Sequence, residues 1–422
     1  MKTGKIIVGI QVLIRLGEEG GLEQTVLGLI SALRELNDSR FHYHILVTKG
    51  ISNNWLIDFT GENQTVVELP SFDESKSNAF RVLFGRFRRP FLGVIKRRLK
   101  VFFSGDKYVN VVVNESKGLY ESLGLDVLHI IYPIHYVRTS LPVVLTMHDL
   151  QHRHLRYIFD KSRDHLMWRE KAYPIAFKES AEVVAICDWV RNDIIQQYNV
   201  DEGKVTTVHW GAPTTFYDLC LSADFIDSVK AKYVLNDPFI LYPAVTYEHK
   251  NHIQLIKVIE SIYSGTGIIV NVVCTGAQKH HWSIIEEYLR DSPVKKAFRF
   301  TGFVDRKDLV ALYMLSEFVV LPTLFEGAGL PILEAFHLGK PVVCSDIEAF
   351  REYGGDAPLF FNPHNIEEMS AKILRVYLDK DVRPVMINKG HDRIDKFKWS
   401  DTARMYNDVY MRAYLASRAE AQ

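Results

Sequence analysis

The 422-residue chain has no charge of one sign to spare: 51 Lys and Arg are balanced by 51 Asp and Glu. A balanced total gives no reason to expect nucleic acid as a partner. Its four cysteines (Cys187, Cys220, Cys274, Cys344) are scattered and form no C-x-x-C pair. Three of them sit in apolar, strand-like runs, which is the pattern of buried thiols in a reducing compartment. No apolar run approaches the ~18 residues of a membrane span, so none is expected. There is no H-E-x-x-H, and the only D-x-D, at Asp379 and Asp381, falls at the end of a predicted helix, where it reads as surface charge; no metal is implied. The opening MKTGKIIVGIQVLIRLGEEGG has two lysines and an apolar stretch, as a weak signal peptide would. It lacks an A-x-A cleavage site and runs into glycines, as a first Rossmann strand does, so export is not expected.

What is present is an alternation of strand-like and helix-like runs, repeated twice. In the first half, strands are expected at 5–14, 42–48, 65–69, 127–132, 143–147, 182–186 and 205–209, with a helix over 22–36. The pattern loosens at GAPTTFYDLC. It restarts with strands at 239–244, 268–275, 298–302, 318–322, 342–345 and 359–362, and helices over 252–263, 282–289, 307–316 and 330–338. Alternation of this kind implies parallel, doubly wound sheets with ligands at the carboxyl ends of the strands. Length and pattern give an α/β chain of two Rossmann-like domains, at 1–213 and 214–395. A last helix over 396–422 carries Met405, Tyr406, Val409, Tyr410 and Tyr414 on an apolar face.

The most informative stretch is PTLFEGAGLPILEAFHLGKP, from Pro322 to Pro341. A buried strand leads into a loop with Gly327, Ala328 and Gly329, and a helix starts at Leu330. Backbone N–H groups and a positive helix end then face any anionic ligand. Glu326 and Glu334 flank the loop with seven residues between them. Beside a phosphate they would repel it, so they suit hydroxyl groups. Phosphate on a helix N-terminus, with carboxylates for sugar hydroxyls on either side, is the chemistry of a nucleotide-sugar site.

This stretch resembles the E-x7-E segment of the retaining glycosyltransferases of family 4, and matches its pattern through Val342 except that Ala328 stands where Phe is common. The resemblance implies the GT-B architecture: two Rossmann-like domains facing a cleft, with the C-terminal helix crossing back to the first. It also implies roles. Glu334 would hold ribose hydroxyls, Glu326 the hydroxyls of the donor sugar, and residues 327–330 would present N–H groups to phosphate and sugar. Lys250, in YPAVTYEHKNH, resembles the lysine of an R-x-x-x-x-K-N pattern that holds the donor diphosphate; Val245 takes the place of the arginine. Gly302 and Phe303 resemble the segment lying near the nucleotide base. His148, in LTMHDL, resembles a histidine that approaches the donor sugar, and Asp149 suits either that pair or a helix cap. The GEEGGLEQ loop, with Gly20 and Gly21, resembles the first glycine loop beside the donor phosphate or the acceptor. His152, His154 and His165 are expected to be exposed.

Residues 81–100 stand apart: eight of twenty are Arg or Lys, none is acidic, and aromatic and aliphatic residues interleave. Arg86, Arg88, Arg89, Lys96, Arg97 and Arg98 would suit an anionic membrane surface, at roughly 1 kcal/mol per basic residue close to it. The resulting expectation is a cytoplasmic enzyme, peripheral on the inner face of the cell membrane. It would be a retaining hexosyltransferase, independent of metal, that needs no cofactor because the nucleotide-sugar is a substrate. YPAVTYEHKNH loosely resembles mannosyl- and rhamnosyltransferases of bacterial surface polysaccharides, which leans the donor to GDP-mannose and the acceptor to a glycan or lipid-linked molecule, as in lipopolysaccharide synthesis. The alternatives are a GT-B nucleotide-sugar epimerase and a non-catalytic nucleotide-sugar-binding partner subunit.

Overall fold

The computed structural model describes residues 4–13, 21–48, 56, 60–70, 113–159, 163–235 and 237–420. Among the described residues thirteen strands make two large parallel sheets. The first takes β1 (Ile6–Val12), β2 (Phe41–Thr48), β3 (Gln64–Leu69), β4 (Val127–Ile130), β5 (Val143–Met147), β6 (Glu182–Ala185) and β7 (Val205–Thr207), in the spatial order β3-β2-β1-β4-β5-β6-β7. The second takes β8 (Phe239–Pro243), β9 (Asn271–Thr275), β10 (Phe298–Gly302), β11 (Val319–Leu321), β12 (Val342–Ser345) and β13 (Leu359–Phe361), in the order β10-β9-β8-β11-β12-β13. The first strand of each sheet lies inside it, and the strand order reverses beside it. A crevice opens at such a reversal, at the carboxyl edge. The expected strands are all present; those at 143–147, 298–302 and 342–345 keep their expected bounds, β2 and β3 start one residue earlier, and the rest are one to three residues shorter where the apolar run outlasts the ladder.

The helices that matter for the cleft are α1 (Gly21–Leu36), α2 (Arg163–Glu179), α3 (Asp188–Tyr198), α4 (Thr214–Tyr217), α5 (His252–Thr266), α6 (Arg306–Leu315), α7 (Leu330–His337), α8 (Glu348–Gly354) and α9 (Trp399–Glu420). Central strands such as Val143–Met147 are buried along their whole length, because helices cover both faces of a parallel sheet. That is why these strands read as continuous apolar runs and not as alternating ones.

The last helix does return to the first domain. Ala403, Tyr406, Val409, Tyr410 and Ala413 are buried against α1 and β1, β2, β4 and β5, while Met405 turns outward. The tyrosines are anchored as well as packed: the Tyr410 hydroxyl meets His129 Nδ1 at 2.8 Å, and Tyr406 meets the Thr146 hydroxyl at 3.0 Å. His129 Nε2 closes the set on Thr146 at 2.8 Å. His129 is fully buried, and desolvation pushes its pKa down to about 3, so the imidazole here is a neutral hydrogen-bonding group. A side chain at position 28 would run into the Trp399 indole, so only glycine lets α9 start this close to α1.

Candidate functional site

The loop after β11 is where the two domains meet. Its base is held within the second domain: Leu324 N–H donates to the His249 carbonyl (2.7 Å), and the Thr323 hydroxyl donates to the same oxygen (3.1 Å). Asn251 takes up a left-handed conformation (φ 62°) and donates its side-chain amide to the Pro322 carbonyl at 3.0 Å. The loop after β8 and the loop after β11 are thereby fixed side by side. This brings Lys250 and Glu326 together as an ion pair, each side chain only 17% exposed. The Tyr242 hydroxyl donates to the Lys250 carbonyl and fixes the backbone that carries the ammonium group.

The tip of the same loop is gripped by the first domain. Phe325 is buried and packs on the rings of His154 and Trp189, with centroids 5.3 Å away in both cases. The Cys187 thiol lies 3.3 Å from the Gly327 carbonyl. A Cβ on Gly327 would collide with the His148 carbonyl oxygen. Gly329 abuts the Tyr353 side chain and leads directly into α7. Among the described residues none accepts a hydrogen bond from the backbone N–H groups of Gly327, Ala328, Gly329 or Leu330. Four N–H groups at the start of a helix, with a lysine nearby, form an anion cradle.

His148 sits across from Gly327, at the carboxyl end of β5. Its ring lies between Tyr132 and Trp210, with centroids at 5.5 Å and 5.0 Å. Burial holds its pKa well below the ordinary imidazole value, against the opposing pull of the Asp149 carboxylate and the Ile131 backbone. The neutral ring keeps a buried Nε2 with no hydrogen-bond partner among the described residues. Such an atom has room for a ligand hydroxyl. The Asp149 Oδ1 accepts a hydrogen bond from Gln151 N–H at 2.9 Å, at the start of the short helix that follows.

Glu334, one turn into α7, is buried, and its Oε2 accepts a hydrogen bond from Tyr313 at 2.7 Å. Burial raises its pKa, and the surrounding hydroxyl and amide donors only partly offset this. Gly302 has a left-handed φ of 72° and Phe303, immediately after it, is 63% exposed at the same edge. Gly276 and Val245 lie beside them, Gly276 pressed onto the Ala244–Val245 peptide. Gly21 opens α1, and a Cβ built on it would lie 3.5 Å from the Leu330 side chain. The second-sheet residues expected from the motif thus share one cleft with His148 and Gly21. Gly20 and the basic residues Arg86, Arg88, Arg89, Lys96, Arg97 and Arg98 lie outside the described residues.

One expectation fails. His152 is fully buried and not exposed, with Nε2 2.8 Å from the Tyr198 hydroxyl, and desolvation takes its pKa down to about 3. It lies on a short helix, Gln151–His154, with its ring edge-on to Tyr173 of α2 at 5.2 Å, a contact the charged sequence around it does not announce. His154 is half-engaged too, paired with Asp193 at 2.7 Å.

One residue that sequence reasoning missed altogether is Glu352. From α8 in the second domain it accepts the N–H groups of Asp188 (2.7 Å) and Trp189 (2.9 Å), the first turn of α3 in the first domain. His209 Nε2 adds a third contact at 2.5 Å. A carboxylate on a helix N-terminus gains both hydrogen bonds and the helix dipole. Nothing in FREYGG marks this, because the partner is supplied only by the tertiary fold. Asp188, His209 and Glu352 also offer oxygen and nitrogen atoms within 4.8 Å of one another. With Glu352 committed to two backbone N–H groups, the trio reads as a latch between domains. A 450 Å³ cavity, lined by Lys117, Glu121, Arg138, Thr139 and Glu179, lies at the opposite, amino end of β5 and has no part in the cleft.

Two parallel-sheet domains meeting across a crevice, with an anion cradle and carboxylates at its rim, define the GT-B class of glycosyltransferases. Residues 19–216 match the model of Glycosyltransferase Family 4, and residues 226–393 match that of Glycosyl transferases group 1. The first half of the chain thus matches family 4 and the second half group 1, both of them glycosyltransferase families. Among curated proteins it is similar to O-antigen chain mannosyltransferase B of Escherichia coli (26% identity over 59% of this chain and 65% of the relative). It is also similar to the serotype-specific mannosyltransferase WbdA of Escherichia coli (28% over 57% of this chain), where the match spans only 30% of the relative's length. Among solved structures it superposes on a sucrose-phosphate synthase from Thermosynechococcus elongatus with a TM-score of 0.68, at 15% identity, covering 98% of this chain and all of that one. WaaG, a glycosyltransferase involved in lipopolysaccharide biosynthesis, gives a TM-score of 0.61 at 14% identity, covering 96% of this chain and 99% of that one. At those identities the structural matches speak for the fold alone.

The latch carries a pH signature. Burial alone would raise the Glu352 pKa, but the bonds from His209, Asp188 and Trp189 outweigh it and hold the carboxyl below its ordinary 4.5. A depressed carboxyl contributes its stability above the unfolded value and loses it as pH falls through the folded one. Glu352→Gln should therefore lower stability at neutral pH by about 1–3 kcal/mol. It should also flatten the loss of melting temperature on acidification below about pH 4.5. Thermal melts from pH 3 to 7 check this; an acid dependence unchanged by the substitution would remove the latch.

Proposed function

We propose that the protein is a retaining hexosyltransferase that moves a sugar from a nucleoside-diphosphate donor to a glycan or lipid-linked acceptor in surface-polysaccharide synthesis. The observation that carries this is the Lys250–Glu326 pair set against the N–H groups of residues 327–330. In the reading, the diphosphate takes the cradle and Lys250, and Glu326 turns its carboxylate to donor-sugar hydroxyls. Glu334 takes ribose hydroxyls, and His148 Nε2 contacts the sugar from the opposite wall. Lys250 and the helix end stabilise charge that grows on the leaving diphosphate, which is electrostatic catalysis. Among the groups assigned to the donor none is placed as a nucleophile, and the resemblance to family 4 implies attack from the face the diphosphate leaves, through an oxocarbenium-like state. None of these steps calls on a metal or a cofactor.

The acceptor would lie against the first domain, near Gly20 and Gly21. Mannose from GDP-mannose is the preferred donor, supported by the mannosyltransferases among the curated relatives. The non-catalytic alternative draws support from Val245, which leaves the diphosphate without the arginine of the family pattern.

A thermal-shift panel of UDP, GDP, ADP and dTDP with their sugars tests the donor. A ligand at 100 times its Kd adds about 2.7 kcal/mol of folded-state stability, or several degrees. GDP and GDP-mannose should shift the melt, and Lys250→Ala should lower turnover by about 10²–10³ while the protein still melts cooperatively. No shift with any nucleotide would favour the non-catalytic reading, and near-normal turnover of Lys250→Ala would remove its role.

Among the described residues no helix is long and apolar enough to cross a membrane. The basic segment at 81–100 is the basis for proposing peripheral contact on an anionic, cytoplasmic surface. Cosedimentation with phosphatidylserine vesicles should be strong, and weak once Arg86, Arg88, Arg89, Lys96, Arg97 and Arg98 are changed to Ser. Equal binding of both proteins would rule the segment out.

A further inference from the structure

The loop that carries Glu326 rests on one short stretch of the first domain, between the end of β6 and the second turn of α3. Cys187 caps α3: its sulfur accepts the Val190 N–H at 3.4 Å, and its thiol donates to the Gly327 carbonyl at 3.3 Å. Trp189 sets its indole against Phe325 at an interplanar angle of 66°. His154 closes the triangle of rings, with its centroid 5.3 Å from Phe325 and 5.4 Å from Trp189. Asp193, one turn further along α3, holds His154 Nε2 at 2.7 Å. The same stretch is tied to the second domain behind the loop. Glu352 accepts the Trp189 N–H, and the Tyr353 hydroxyl donates to the Ile186 carbonyl at 2.8 Å. Glu326 therefore stands between two residues, Phe325 and Gly327, that both bear on the first domain.

The nucleotide half of the site is held differently. Lys250 is fixed through its own carbonyl by Tyr242, and Asn251 ties its loop to Pro322. The helix α7 runs into the second-domain core through Ile332 and Leu333, neither of which is exposed at all. Every one of these contacts lies within one domain.

We infer that Trp189 is a positioning residue for the donor sugar: through Phe325 it sets where Glu326 points, so the first domain governs the grip on the sugar while the second alone governs the grip on the nucleotide. The inference rests on the donor site proposed above and names the residue through which the opposite domain acts on it. An indole offers Phe325 a large, rigid face with few rotamers. Leucine at 189 would keep the place apolar but leave a gap beside Phe325 into which the loop relaxes. A hydrogen bond from a hydroxyl to a carboxylate weakens steeply with distance and angle, so a small drift of Glu326 is enough to loosen the sugar.

The test is calorimetric titration of the full chain with GDP and with GDP-mannose. It compares wild type, Trp189→Leu, Trp189→Phe, Glu326→Gln and the double variant Trp189→Leu/Glu326→Gln, each checked for a cooperative melt. Trp189→Leu should bind GDP within about twofold of wild type, as expected of a residue remote from that half of the site. It should bind GDP-mannose about tenfold more weakly, the scale of one hydrogen bond to a charged group. Trp189→Phe, which keeps a ring against Phe325, should recover most of that loss. With Glu326→Gln already present, Trp189→Leu should cost nothing further, because its effect passes through the carboxylate. Unaltered affinity for GDP-mannose, an equal loss on both ligands, or the same loss with and without Glu326 would make Trp189 a packing residue and overturn the inference while the donor site stands. A wild-type protein that binds neither ligand would overturn both.

Discussion

The cleft depends on one backbone approach. Gly327 comes so near the His148 carbonyl that no side chain fits between them, and Phe325 two residues earlier is enclosed by His154 and Trp189 of the opposite domain. A loop that belongs to the second sheet is thus shaped by the first. Glu352 reinforces this from the side, since its carboxylate completes a helix that starts in the other domain. Relative motion of the two domains must break these contacts together, so the site is complete only when they are made.

Within that frame, the ion pair of Lys250 and Glu326 solves a problem of desolvation. Both side chains are mostly buried, and either alone would be costly there. Paired, they neutralise each other in place, next to backbone N–H groups that carry partial positive charge. An arriving diphosphate would compete for Lys250 with a negative charge of its own, which leaves the Glu326 carboxylate in want of donors. Sugar hydroxyls are donors of the right kind. In the proposed reading the same two residues would link phosphate binding to sugar binding.

Much of this was legible in the sequence, and the reason is local. Strands, helix starts and the glycine loop are set by residues within one or two turns of each other, so Gly327, Gly329, Leu330 and Glu334 fell into register before any fold was seen. Lys250 was legible because the loop that carries it ends a strand and precedes a helix. What stayed hidden was made by long-range packing. Glu352 finds its partners some 160 residues away, and Tyr217 sits in a segment that reads as a loose linker yet lies between α1 and α7. His152 was misjudged for the same reason: the charged residues around it say nothing of the Tyr173 and Tyr198 rings it packs against. Phe325, an apolar ring in an otherwise small-residue loop, was the one overlooked signal available locally.

The most direct measurement is a crystal structure of the wild-type protein with a nucleoside diphosphate, or its mannose conjugate, in the cleft. The account predicts phosphate oxygens within hydrogen-bonding distance of Lys250 Nζ and of the N–H groups at the start of α7, and ribose hydroxyls on Glu334. A diphosphate bound elsewhere, for instance in the basic-and-acidic cavity of Lys117 and Arg138 at the amino end of β5, with Lys250 still closed on Glu326, would contradict it.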